Sequence, residues 1–189
     1  MTISNNSSAR KAGFRATNAG IEAAAAITMT KIGTRTLKMA FNPTDFTLSG
    51  ASVAASADGI FSVVLFPNAN TGTMIITSRL AAEWKSGTDL IASVYWKSSG
   101  ISGNMKLSIQ LGAKADAEST ASSNTQTVTT AAATTANKLV KSQVTFSNSL
   151  LAAGDWLGLS ISRDPTDAAD TLASDIYIAC VVMEFTGRG

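Results

Sequence analysis

The chain has 189 residues, 45% of them hydrophobic, with 15 Lys+Arg against 13 Asp+Glu, a net charge of +2 and no histidine. A chain of this length buries about 70% of its unfolded surface in one domain, so it needs no metal or disulfide to hold a core; its single cysteine, Cys180, excludes an intrachain bridge. Without histidine, Ser-His-Asp and Cys-His catalysis are excluded, and the commonest metal ligand and the usual pH switch are missing as well.

Residues 1–33 differ from the rest. They hold a basic patch (Arg10, Lys11, Arg15) and then the run Glu22-Ala23-Ala24-Ala25-Ala26-Ile27. Alanine favours helix, so a short helix is expected near 19–29. With few large apolar residues it cannot bury a face alone. The reading is an N-terminal arm that orders on a partner, with Arg10, Lys11 and Arg15 as partner-binding residues. Removing it is expected to leave a folded domain and abolish assembly. Met1–Ser8 is polar with no apolar segment, so no secretory signal is expected. No apolar run reaches membrane-spanning length, and no basic run is dense enough for nucleic acid. Neither a membrane nor a nucleic-acid partner is expected.

From residue 34 onward the pattern has period two, the mark of strands with one buried face. The predicted strands are 36–41 (Leu37, Met39, Phe41 inward), 60–66 (Phe61, Val63, Leu65), 73–80 (Met74, Ile76, Leu80) and 89–97 (Leu90, Val94, Trp96). They continue with 104–111 (Met105, Leu107, Ile109, Leu111), 139–147 (Val140, Val144, Phe146) and 156–163 (Leu157, Leu159, Ile161). The last, 175–185, is apolar on both faces: Ile176, Ile178, Cys180 and Val182 on one, Tyr177, Val181, Met183 and Phe185 on the other. Such a strand is central in a two-layer core or covered by another subunit. Cys180, inside that run, reads as a small buried hydrophobe. Residues 112–138 are small, polar and low in complexity. Thr125–Thr130 fits a strand with Thr on its wet face, and the remainder reads as a long connection.

Turn residues separate these runs, as in Ser98-Ser99-Gly100, Asn68-Ala69-Asn70-Thr71-Gly72 and Ala153-Gly154-Asp155. The expectation is an all-β fold: an antiparallel, jelly-roll-like β-sandwich of about eight strands over 34–189, preceded by the 1–33 arm.

Among chemistry-bearing clusters, Asp164, Asp167, Asp170 and Asp175 are the densest. Hard cations take several oxygens from one loop, which makes these four the weak metal candidates. The spacing lacks the tight-turn glycine and closing glutamate of an EF-hand, and Asx turns explain aspartates there without an ion. No metal and no cofactor is therefore expected. Paired acids for glycoside hydrolysis have Asp167, Asp170 and Glu184 as candidates. Trp84, Trp96, Trp156 and Tyr95 are candidates for stacking on sugars, although strand aromatics usually pack in a core or interface. No phosphate-binding glycine loop is present.

The stretch 150–186 carries Gly154-Asp155 entering a strand, Arg163-Asp164 ending one, an Asp170-Thr171 loop and a final apolar strand. This order resembles the ending of jelly-roll virion structural proteins of tailed bacteriophages. The resemblance implies a non-enzymatic virion component, localised to the virion, binding a capsid or other virion protein and forming a homo-oligomer, with a trimer favoured. A capsid decoration or cement protein is the leading form. The alternative is a tail, fibre or baseplate module that binds a receptor or carbohydrate. A small-virus coat protein would want a denser basic arm, and a glycan-acting enzyme would need an acid with a raised pKa in a cleft.

Overall fold

The computed structural model describes residues 34–118 and 122–188. The arm, its expected helix and the basic residues Arg10, Lys11 and Arg15 lie outside the described residues. Residues 36–188 form one compact unit.

Among the described residues, eleven strands form two sheets. One sheet runs β3 (Ala54–Asp58), β4 (Phe61–Phe66), β11 (Ile176–Gly187), β6 (Leu90–Ser98) and β9 (Val140–Phe146), with β1 (Arg35–Phe41) also paired to β11. The other runs β2 (Thr47–Ser49), β5 (Gly72–Arg79), β10 (Trp156–Arg163), β7 (Asn104–Lys114) and β8 (Ser122–Ala131). The chain passes repeatedly from one sheet to the other, so strand pairs are built from segments far apart in sequence. In the second sheet every pair is antiparallel. The fold is the expected antiparallel β-sandwich, and its core lies between the two sheets.

The inward residues are those whose alternation marked them. Met105, Leu107, Ile109 and Leu111 of β7 and Leu157, Leu159 and Ile161 of β10 meet Leu90, Val94 and Trp96 of β6 in one buried cluster. Each fully buried aliphatic or aromatic side chain of this kind contributes about 1.5–3 kcal/mol relative to exposure. Trp96 is the polar exception in this layer: its Nε1 donates to Ser142 Oγ at 2.9 Å, and that hydroxyl donates on to Thr130 Oγ1 at 2.8 Å. This chain of bonds ties β9 of one sheet to β8 of the other.

Three differences from the sequence reading have physical causes. Strand count rises from about eight to eleven because β2 is very short, β3 is wet on both faces, and β8 covers its inner face with small polar residues and Val128 alone of the large apolar ones. All five residues of β3 are exposed. A doubly wet edge strand shows no apolar alternation to read. In β8 the threonines Thr125, Thr127 and Thr129 face outward as expected, but the strand runs from Ser122 to Ala131 and so absorbs much of the expected connection. In β4 the buried face is Val64 and Phe66, while Phe61 is 67% exposed. Apolar residues occupy both faces of that strand, so period alone could not choose between them.

The last strand is central in its sheet, one of the two positions open to a two-sided apolar strand. Its faces nonetheless differ from a straight count. The pairing of β11 with β6 shifts between Ile178 and Cys180, a bulge that adds one residue. Val181, Met183 and Phe185 therefore join Ile176 and Ile178 in the core, while Tyr177, Val182 and Glu184 turn outward. Cys180 leaves the core for the outer side and is only part-buried. Desolvation still raises its pKa, which keeps the thiol protonated at neutral pH.

Candidate functional site

The Asp164–Asp175 loop shows what its four aspartates do. Arg163, at the end of β10, points inward with a fully buried side chain. It grips Asp170 at both carboxylate oxygens, Nε to Oδ2 at 2.8 Å and Nη2 to Oδ1 at 2.9 Å. Its remaining donors go to Leu172 O at 2.8 Å, Ser174 O at 2.9 Å and Asn68 Oδ1 at 3.2 Å. This planar, two-pronged grip is what guanidinium supplies and ammonium does not. Asp170 Oδ2 also accepts from Lys106 N at 3.2 Å. Asp164 accepts from both the backbone and hydroxyl of Thr166, which together hold its pKa below the usual carboxylate range. Asp167 is likewise lowered, first by Lys106 Nζ at 2.5 Å and then by Ala169 N. Asp175 accepts from Asn68 N at 2.8 Å. Each carboxylate thus has its own protein donor. Among the described residues no three His, Cys, Asp or Glu side chains converge as a metal would require. The loop is a clamp that fixes the entry to β11.

The tryptophans separate in the same way. Trp84 and Trp96 are fully buried core residues. Trp156 is 45% exposed on the outer side of the second sheet. There the Arg79 guanidinium lies 5.0 Å from its ring centroid, and Asp116 accepts from its Nε1 at 2.7 Å.

The outer face of the first sheet is where aromatic and polar groups collect. In β6, Leu90, Ala92, Val94 and Trp96 face the core, so Ile91, Ser93, Tyr95 and Lys97 face outward. Register sets their neighbours: Lys97 lies across from Tyr177, and Tyr95 lies between Lys141 and Cys180. The chain has two tyrosines, and the pleat puts both on this face. Lys97 Nζ stands 5.9 Å from the Tyr177 ring centroid and pairs with Asp58 Oδ2 at 2.5 Å. Further along the face, Lys38 Nζ pairs with Glu184 Oε1 at 2.9 Å. That bond raises the Lys38 pKa and lowers that of Glu184.

Two adjoining cavities open on this face and share Asp58, Lys97 and Asn137. One, of about 440 Å³, is lined also by Ser56, Ser99, Asp175 and Tyr177. The other, of about 550 Å³, is lined also by Pro43, Ile60, Phe61, Val63 and Leu139. Joined, they make a groove with two aromatic rings (Tyr177 and Phe61), two carboxylates, one ammonium and two side-chain amides (Asn42 and Asn137). Asn137 sits at φ 62 in the β8–β9 connection, a backbone state asparagine tolerates. Its N–H donates to Ser98 O at 2.7 Å, which anchors that wall of the groove.

Of the groove residues, sequence reading flagged only Asp175, and as a cation ligand. Tyr95, flagged for stacking, lies on the same face. Tyr177 was counted among apolar residues of a two-sided strand. The available signal was its hydroxyl: a buried Tyr must find a partner, so a Tyr in such a strand marks a face with wet access.

No protein-family model and no curated protein matches the chain. Solved structures do. A family 35 carbohydrate binding module from Clostridium thermocellum superposes with a TM-score of 0.50 at 8% identity, over 78% of this chain and 97% of that one. The CBM22-1 xylan-binding domain from Paenibacillus barcinonensis gives 0.43 at 14% identity, over 80% and 94%. The enzymatically active domain of tailspike protein 4 from bacteriophage CBA120 gives 0.41 at 8% identity, over 78% of this chain and 19% of that one. At 8% identity the likeness to the family 35 module is one of fold alone: a jelly-roll β-sandwich. Capsid decoration finds no support in these comparisons.

Proposed function

We propose that this chain is a carbohydrate-binding module that holds a glycan in the groove over Tyr177 without acting on it. The observation that carries the reading is the placement of both tyrosines on one outer sheet face, beside a groove lined by Asp58, Lys97, Asn137 and Asp175. A sugar ring presents a C–H face that packs on an aromatic ring and hydroxyls that bond carboxylate, ammonium and amide groups. Specific small-ligand sites have this composition, an apolar surface with a few placed polar groups. The fold is one that carbohydrate binding modules also use. None of the acids that the sequence offers for hydrolysis lines the groove. A general acid needs a raised pKa, whereas Glu184 and Asp167 are both lowered, and Asp170 is consumed by Arg163. Such a module at a tail tip, fibre or baseplate is the alternative that stood beside capsid decoration in the sequence resemblance to virion proteins.

The test is retention on a panel of polysaccharides, in native affinity gels and by titration calorimetry, for the parent and for Tyr177→Ala. Losing the ring contact is expected to weaken binding about tenfold, the equivalent of about 1.4 kcal/mol. Unchanged circular dichroism would show the sandwich intact. Absence of binding across the panel, or full binding by Tyr177→Ala, overturns the proposal.

A further inference from the structure

The groove changes character along its length. Around Tyr177 its wall is Ser56, Ser99, Asp175 and Asp58. Beyond Lys97 and Asn137 it gains the apolar side chains Ile60, Phe61, Val63 and Leu139, beside the small polar residues Asn42, Thr44 and Ser62. Ile60 is 95% exposed, Phe61 67% and Leu139 56%. These three of the large exposed hydrophobic residues come from the β3–β4 hairpin and the β8–β9 connection and meet at one cavity.

Their positions make the arrangement informative. Ile60 follows Gly59 (φ 61) in the two-residue turn that joins β3 to β4, where Asn, Asp or Gly is the usual choice. A nearly fully exposed isoleucine there adds nothing to the core. Leu139 lies just past Asn137, whose anchored backbone holds the opposite wall. The apolar wall therefore stands preformed on both sides of the cavity, continuous with the polar one.

An unsubstituted glycan matches only half of this groove. Hydroxyls laid directly on the Ile60, Phe61 and Leu139 side chains would lose water there, which is costly, while Asn42, Thr44 and Ser62 at the rim can still meet ring oxygens. The charges on this face also balance: Lys38, Lys97 and Lys141 stand with Asp58, Asp175 and Glu184, and two of the pairs are bonded. Neither a polyanionic nor a polycationic chain finds a complement there.

We infer that the ligand is an uncharged glycan bearing an O-acyl substituent, with the sugar ring at Tyr177 and the acyl group lodged among Ile60, Phe61, Val63 and Leu139. The inference rests on the glycan-binding reading and narrows it to a substrate class.

The experiment compares acetylated xylan and acetylated glucomannan, each before and after mild alkaline removal of its acetyl esters, by titration calorimetry with the parent, Ile60→Ser, Leu139→Ser and Tyr177→Ala. Burying one small apolar group discriminates by about 10–200-fold, so the parent is expected to prefer an acetylated form at least tenfold. Ile60→Ser and Leu139→Ser change exposed side chains; they are expected to keep affinity for the deacetylated form and lose the preference. Tyr177→Ala is expected to weaken both forms. Equal binding of both forms by the parent, or a preference that survives both serine variants, overturns the acyl-group inference and leaves glycan binding standing. Binding of neither form of either polysaccharide overturns both.

Discussion

Replacing Arg163 by methionine removes a guanidinium and keeps most of the side-chain volume. Arg163 and Asp170 are both fully buried at their side chains, so the variant leaves a carboxylate in the interior with only Lys106 N as donor. It also strips donors from Leu172 O, Ser174 O and Asn68 Oδ1. Summing the five lost bonds at about 1.5–3 kcal/mol each would claim as much as the whole stability of a typical domain, about 5–15 kcal/mol. The measured cost of breaking a buried pair is the better guide, about 3–5 kcal/mol. For a domain of this size each kcal/mol moves the melting temperature by about 2–4 °C, which gives a fall of roughly 6–20 °C. Asp170→Asn is expected to be similarly harmful. The double variant Arg163→Met/Asp170→Leu removes both charges together and is expected to cost less than the sum of the singles, with coupling of about 0.5–3 kcal/mol. Urea titration followed by the fluorescence of buried Trp84 and Trp96 supplies the numbers. A loss below about 1 kcal/mol in Arg163→Met, or simple additivity in the double, would refute the claim that this pair clamps the loop into β11.

Two further outcomes follow from the same coordinates. Asp164, Asp167 and Glu184 have depressed pKa values in the folded chain, so their contribution is present above the ordinary carboxylate range and is lost as pH falls through and below it. Thermal melts are expected to show an acid limb that shrinks in Asp167→Asn/Glu184→Gln and with added salt, since Asp164 is exposed and Asp167 and Glu184 are only partly covered; an acid limb identical in parent and variant rejects this. Gly103 sits at φ 92, and a Cβ there would lie 2.5 Å from Thr171 O and 3.1 Å from Leu172 Cα, both backbone atoms. Gly103→Ala is expected to cost at least about 1–3 kcal/mol from backbone strain alone, and an unchanged denaturation midpoint would show that the β7 entry and the Thr171 loop move apart freely.

All eight predicted strands exist, seven of them read from alternation, because a strand with one wet and one dry face writes its structure locally into every second residue. Met105, Leu107, Ile109 and Leu111 could be assigned inward from residues 104–111 alone. The sandwich class followed from the same local rule repeated, with turn residues between runs. Where locality ended, so did the reading. β3 leaves no apolar trace because it is wet throughout. The bulge before Cys180 reverses the faces of the second half of β11, and it exists only through pairing with β6. Arg163 and Asp170 are ordinary polar residues in sequence; burial between the end of β10 and the following loop makes them a clamp. The groove is the extreme case. Asp58, Lys97, Asn137 and Tyr177 come from three strands and a connection, with up to 119 positions between them in the chain. No local pattern relates them. They meet because cross-strand register fixes which side chains share a sheet face, and register is a property of the folded sheet.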